Sequence, residues 1–175
     1  MFKGRRLKTP GWRALRPTSD KLRETLFNIL ASRIQSARVL DGYAGTGALG
    51  IEALSRGASS VVFVEADRRA AALIAENLNV CGVKEGYTIH CTEVVAALSR
   101  MSGEQFDLVL LDPPYNTSSE AIRDLLDAVK ARLDPNGLVV LERATRRTPD
   151  APSSLVRVRD VRSGDSTLSV FEVMK

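Results

Sequence analysis

With 175 residues, 44% of them hydrophobic and 26% charged, the chain has the material for one globular domain with a real core. The net charge of +4 divides unevenly: residues 1–38 carry ten Lys/Arg against Asp20 and Glu24, a net of +8, leaving −4 for the other 137. Two cysteines, Cys81 and Cys91, and one histidine, His90, exclude a disulfide framework and argue against a zinc site.

Residues 1–17 are basic and broken by Gly4, Pro10, Gly11 and Pro17, so they read as an arm, and 18–175 as the domain. No apolar signal core or membrane-length apolar run stands out, which makes the reducing cytoplasm the expected compartment. Basic charge in the arm points to a polyanionic partner, with a solvated terminus as the alternative. Trp12 is either a stacking ring or an anchor onto the body. Thr18 or Ser19 can cap a helix to about Ser32, with Leu22, Leu26, Ile29 and Leu30 along one face.

From Arg38 the pattern alternates strand and helix. Arg38 to Asp41 is a strand, 42–47 a loop, and a helix follows to a stop at Gly57. Ser60 to Glu65 is a strand, and Asp67 caps a helix ending near Gly82. Tyr87 to Cys91, Phe106 to Asp112 and Gly137 to Glu142 are further strands; Val94 to Leu98 and Ser118 to Leu133 are the helices between them. This alternation predicts a mostly parallel sheet covered by helices on both faces. Arg143 to Pro149 reads as a basic polar loop. Leu155 to Val161 and Thr167 to Val173 then form a hairpin turning at Ser163-Gly164-Asp165.

Two stretches carry chemistry. Gly45-Thr46-Gly47-Ala48-Leu49-Gly50, between a strand and a helix, permits close approach of a ligand to backbone. Glu65, ending the next strand, can accept both hydroxyls of a ribose, as in a nicotinamide-dinucleotide oxidoreductase. Asp41 just before the loop would repel a pyrophosphate and suits a ligand with an ammonium group, such as S-adenosylmethionine. Glu93 can meet an adenine amino group or cap the helix that follows it. The second stretch, Asp112-Pro113-Pro114-Tyr115, ends the apolar run Phe106 to Leu111. The prolines stop the ladder, and Asp112 projects from the carboxyl edge where ligands bind in such sheets. A carboxylate, the Pro113 carbonyl and the Tyr115 ring could hold an amino-bearing base; a Pro-Pro turn with a packing tyrosine is the plain alternative.

Together these motifs resemble class I, Rossmann-like S-adenosylmethionine-dependent methyltransferases that modify exocyclic amines. Arg16-Pro17-Thr18 through Arg23-Glu24-Thr25-Leu26-Phe27-Asn28, with Asp41-Gly42-Tyr43-Ala44-Gly45-Thr46-Gly47, narrows the resemblance to bacterial 16S ribosomal RNA guanine-N2 methyltransferases of the RsmD type. That family implies a seven-stranded sheet in the order 3-2-1-4-5-7-6 with an antiparallel seventh strand. It implies S-adenosylmethionine held by Asp41, Ala44, Gly45, Gly47, Glu65, Ala66, Glu93 and Asp112, with no metal. The catalytic set is Asp112, Pro113 and Tyr115. Arg5, Arg6, Lys8, Arg13, Arg16 and Arg23 would contact 16S RNA in the assembling small subunit, by a monomer. Two departures stand against the pattern. Members usually carry a further strand-forming segment before the stretch matching Gly4-Arg5-Arg6-Leu7, and the acid after the third strand is often Asp, where this chain has Glu93. The motif also fits DNA or tRNA amino-methyltransferases; an oxidoreductase and a non-catalytic RNA-binding assembly factor are the remaining readings. His90 is read as structural.

Overall fold

A computed structural model of the chain describes residues 6–9, 11, 20–145 and 154–174. Trp12, the cap at Thr18 or Ser19, and Arg5, Arg13, Arg16, Arg146 and Arg147 lie outside the described residues. The helices are α1 (Asp20–Ile29), α2 (Ala48–Ser55), α3 (Arg68–Cys81), α4 (Val94–Arg100) and α5 (Ser119–Lys130). The strands are β1 (Arg38–Gly42), β2 (Ser60–Val64), β3 (Tyr87–His90), β4 (Phe106–Leu111), β5 (Leu133–Ala144), β6 (Leu155–Ser163) and β7 (Ser166–Val173). They form one sheet in the order β3-β2-β1-β4-β5-β7-β6, with β7 antiparallel to both neighbours. The expected topology is the observed one.

The sheet is apolar on both sides because each central strand serves two cores by turns. Val39 of β1 and Leu108 and Leu110 of β4 face a core shared with α1, α2 and α3. Their sequence neighbours Leu40, Val109 and Leu111 face a second core with α4 and α5. Asp67 caps α3 as predicted, accepting from Arg69 N–H at 2.8 Å and Ala70 N–H at 3.3 Å. Gly82 ends that helix in the left-handed conformation. At the amino edge of the sheet, Arg38 pins β1 to β4. Its main-chain N–H, Nε and Nη2 all donate to Asp107, at 2.8, 3.0 and 2.8 Å. Among the described residues no helix is long and apolar enough to cross a membrane.

Three expectations need correction. Helix α1 stops at Ile29, in turns that lead to β1, rather than near Ser32. Helix α5 stops at Lys130 because Leu133 already bridges to Phe106; β5 therefore starts four residues before Gly137, with a register irregularity between Phe106 and Leu108. The third concerns Arg143 and Ala144, read as the start of a polar loop. They continue β5, paired with Thr167 and Ser166 of β7. Arg143 is 1% exposed, so it cannot join a surface for RNA.

Candidate active site

Strand β1 delivers Asp41 to the carboxyl edge of the sheet, where it is buried and accepts Gly50 N–H at 2.8 Å. The backbone then turns through Tyr43, held at φ 62, a left-handed conformation uncommon for a residue with a side chain. Tyr43 is half-buried, and its phenol is pushed above its ordinary range by burial and then by the Glu93 charge. Gly47 begins α2 at φ 79, and a Cβ there would lie 3.1 Å from Ile74 Cγ2. One turn on, a Cβ at Gly50 would sit 2.2 Å from Phe63 Cε1. The two glycines let the loop lie on α3 and α2 lie on β2, respectively.

Glu65 follows β2 and is buried with both oxygens engaged. Oε2 accepts Gly45 N–H at 2.8 Å and Oε1 accepts Asp67 N–H at 2.9 Å. A carboxylate oxygen has two lone pairs, so each keeps one for a ligand hydroxyl while the backbone fixes the carboxylate's orientation. Ala66, beside it, is exposed, and its carbonyl accepts Cys91 Sγ–H at 3.9 Å, which ties the ends of β2 and β3 together. Glu93 occupies the N-cap position of α4 yet makes no side-chain capping bond, so the capping alternative is not what the geometry shows.

Strand β4 places the second motif beside the loop. Leu111 pairs with Gly42 of β1 on one side and with Leu141 of β5 on the other, and Asp112 comes next. Pro113 is buried, Pro114 is exposed, and the Pro114 carbonyl is taken by Thr117 N–H at 3.0 Å. That turn sets the direction of Tyr115. The Tyr115 hydroxyl lies 2.8 Å from Ser166 Oγ and donates to Glu142 Oε1 at 3.5 Å, so β5 and β7 tether the ring by its polar end. Arg143 Nη2 reaches the Thr117 carbonyl at 3.5 Å from the strand beside it.

The electrostatics favour a cation. Burial pushes the Asp41 carboxyl up to about 8; the Gly50 N–H pulls it back, and the negative charges of Asp112 and Glu65 push it further. Three carboxyl groups therefore converge on the glycine loop, and Asp41 is the one that keeps its proton. The negative charge of Asp112 and Glu65 repels a pyrophosphate and attracts the ammonium and sulfonium of S-adenosylmethionine, while oriented Glu65 suits its ribose. The residues present fit that group.

The RNA-contact candidates within the described residues lie on the surface. Arg6 is exposed; Lys8 pairs with Glu76 at 2.9 Å and Arg23 with Asp20 at 2.8 Å. Exposed pairs of this kind contribute about 0–1 kcal/mol and yield readily to a phosphate. Sequence reasoning missed Asn77, Glu142, Ser166 and the burial of Arg143. Each is a polar residue whose partner is far away along the chain, and no local pattern signals it.

A doubly wound sheet with a glycine loop and an Asp-Pro-Pro-Tyr motif on neighbouring strand ends defines a Rossmann-like methyltransferase. Known proteins agree. Residues 1–172 match the model of the family described as Conserved hypothetical protein 95. Ribosomal RNA small subunit methyltransferase D of Haemophilus influenzae is 33% identical over 98% of this chain and 90% of its own. A solved hypothetical protein of Thermus thermophilus superposes with a TM-score of 0.82 at 31% identity, covering 97% of this chain and 94% of that one. The ribosomal protein L11 methylase of Lactobacillus delbrueckii, at 20% identity and a TM-score of 0.72 over 88% and 80%, shares the fold. The chain belongs to the RsmD family of methyltransferases.

Proposed function

We propose that this protein transfers a methyl group from S-adenosylmethionine to the exocyclic N2 amine of a guanine in 16S ribosomal RNA. The observation that carries the reading is the Leu111–Gly42 pairing, which sets Asp112-Pro113-Pro114-Tyr115 directly beside the glycine loop. Support for the ribosomal substrate comes from the name of the Haemophilus influenzae relative, which specifies small-subunit RNA. The guanine amine is the finer part, and it rests on the Arg16-Pro17-Thr18 to Asn28 resemblance.

An exocyclic amine on a base is a weak nucleophile because its lone pair is delocalised into the ring. Asp112 and the Pro113 carbonyl accept its two N–H groups, turn the lone pair out of the ring plane and stabilise positive charge growing on nitrogen. S-adenosylmethionine, when bound, supplies an electrophilic methyl on a sulfonium. Asp112 takes the nitrogen's surplus proton only once the new bond has made it acidic, so it need not be a strong base beforehand. Tyr115 stacks on the base, which must leave its neighbours in the RNA to enter. Asp41, Ala44, Gly45, Gly47, Glu65, Ala66 and Glu93 hold the cofactor. The arm over residues 1–17, with Arg5, Arg6, Lys8, Arg13 and Arg16, and Arg23 on the domain over 18–175, grips RNA phosphates. The protein works as a monomer in the cytoplasm, on the assembling small subunit.

The test offers methyl-labelled S-adenosylmethionine with small-subunit particles, naked 16S RNA and duplex DNA side by side. Label is expected in N2-methylguanosine from the RNA; label confined to DNA overturns the reading. Asp112→Ala should lower turnover by roughly 10²–10³-fold with the fold intact, as for loss of a preorganised hydrogen-bonding group in other enzymes.

A further inference from the structure

The basic segment at residues 6–9 and the cofactor loop share one buried side chain. Asn77, on α3, is 0% exposed. Its Oδ1 accepts Lys8 N–H at 2.8 Å, and its Nδ2 donates to the Lys8 carbonyl at 3.1 Å and the Thr46 carbonyl at 3.0 Å. A primary amide has one acceptor oxygen and two donor hydrogens. It can therefore satisfy both backbone groups of Lys8 and still hold a second carbonyl. Leu7, the preceding residue, packs against the core on that face, so the segment is held by its backbone and by an apolar side chain.

The other end of this bridge lies in the site. The Thr46–Gly47 peptide unit is held on both sides: its carbonyl by Asn77, and its N–H, that of Gly47, by the Ala44 carbonyl at 2.7 Å. Ile74, three residues before Asn77 on the same helix face, is the side chain against which Gly47 lies. Helix α3 thus positions the loop with Ile74 and Asn77, and positions the basic segment with Asn77.

We propose that Asn77 is a positioning residue that couples RNA docking through residues 6–9 to cofactor binding on the Gly45–Gly47 loop; this rests on the function proposed above. A ligand that orders the loop fixes the Thr46 carbonyl and so steadies the amide that holds Lys8. RNA that orders the segment steadies the same amide from the other side. Linkage makes the two effects equal in free energy.

The experiment measures the Kd of S-adenosylhomocysteine with and without saturating small ribosomal subunits. In the unaltered protein the subunits should tighten binding at least about fivefold, the lower end of ordinary coupling between sites. Asn77→Ala and Asn77→Asp should bring that ratio to about one, the size set by loss of the coupling. Glu76→Gln, which breaks the neighbouring ion pair and leaves the amide's hydrogen bonds alone, should preserve it. A ratio of one in the unaltered protein, or an unchanged ratio in folded Asn77 variants, overturns the coupling. Should those variants not fold, amide exchange in the unaltered protein decides. Lys8 N–H exchange should slow at least about fivefold on adding S-adenosylhomocysteine, in step with the expected coupling, and unchanged exchange overturns the proposal. A protein that binds no S-adenosylhomocysteine overturns the functional reading as well; binding with a ratio of one overturns the coupling alone.

Discussion

Asp41 is a buried acid whose ionisation its surroundings shift strongly upward. In the folded protein it holds its proton up to about 8, whereas an exposed aspartate releases it near 3.8. Between those values the folded state binds more protons than the unfolded one, so stability is full at low pH and falls as pH rises through about 8. Asp41→Asn removes that slope and keeps an acceptor for Gly50 N–H. The melting temperature of the unaltered protein should therefore fall from acidic to alkaline pH more steeply than that of the variant; parallel profiles would refute the assignment. Tyr115→Phe separates stacking from tethering, because it keeps the ring and removes the hydroxyl that meets Ser166 and Glu142. Its KM for RNA should rise severalfold while kcat at saturation changes little. Equal KM values would mean that the polar end of the ring does not orient it.

At the level of elements, α2 and β2 approach each other closely enough to require a glycine. A methyl group at Gly50 would meet Phe63 Cε1 at 2.2 Å, Phe63 Cζ at 2.7 Å and Val61 Cγ1 at 2.8 Å. Gly50→Ala should cost about 1–3 kcal/mol of stability by overpacking, read as a lower urea midpoint at unchanged slope. The same approach was legible in the sequence only as the last glycine of a pattern. The pattern's place after β1 and the Asp112 motif's place after β4 could be read because both strands are short apolar runs with clear stops. Helix α3 was legible for similar reasons, since Asp67 and Gly82 punctuate it. The end of β5 was not. Arg143 is a charged residue in a polar stretch, and its burial follows from pairing with Thr167, a partner that no local window contains. The start of β5 was hidden too, because Asp134-Pro135-Asn136-Gly137 has the composition of a turn and the Leu133 bridge to β4 lies ahead of it.

For the whole molecule, the division of charge governs behaviour in solution. Residues 1–38 at +8 against −4 for the other 137 should steer the protein onto RNA amino-terminus first. Arg6→Ala removes one exposed cation, and the slope of log affinity against log salt should become shallower by about 0.7–0.9 for each phosphate that Arg6 neutralises. An unchanged slope would place Arg6 outside the docking surface. Asn77 shows why this division was only partly legible: the basic run is plain in the sequence, the attachment of Lys8 to the glycine loop is not. The order of strands adds a constraint in time. β7, made after the other six strands, is inserted between β5 and β6 and also brings Ser166 to Tyr115. During synthesis the glycine loop and the Asp112 motif emerge first, while β5 still presents an open edge and Ser166 has yet to reach Tyr115. A nascent chain can thus build the glycine loop early, but the tether on Tyr115 is completed only when β7 slides into the sheet.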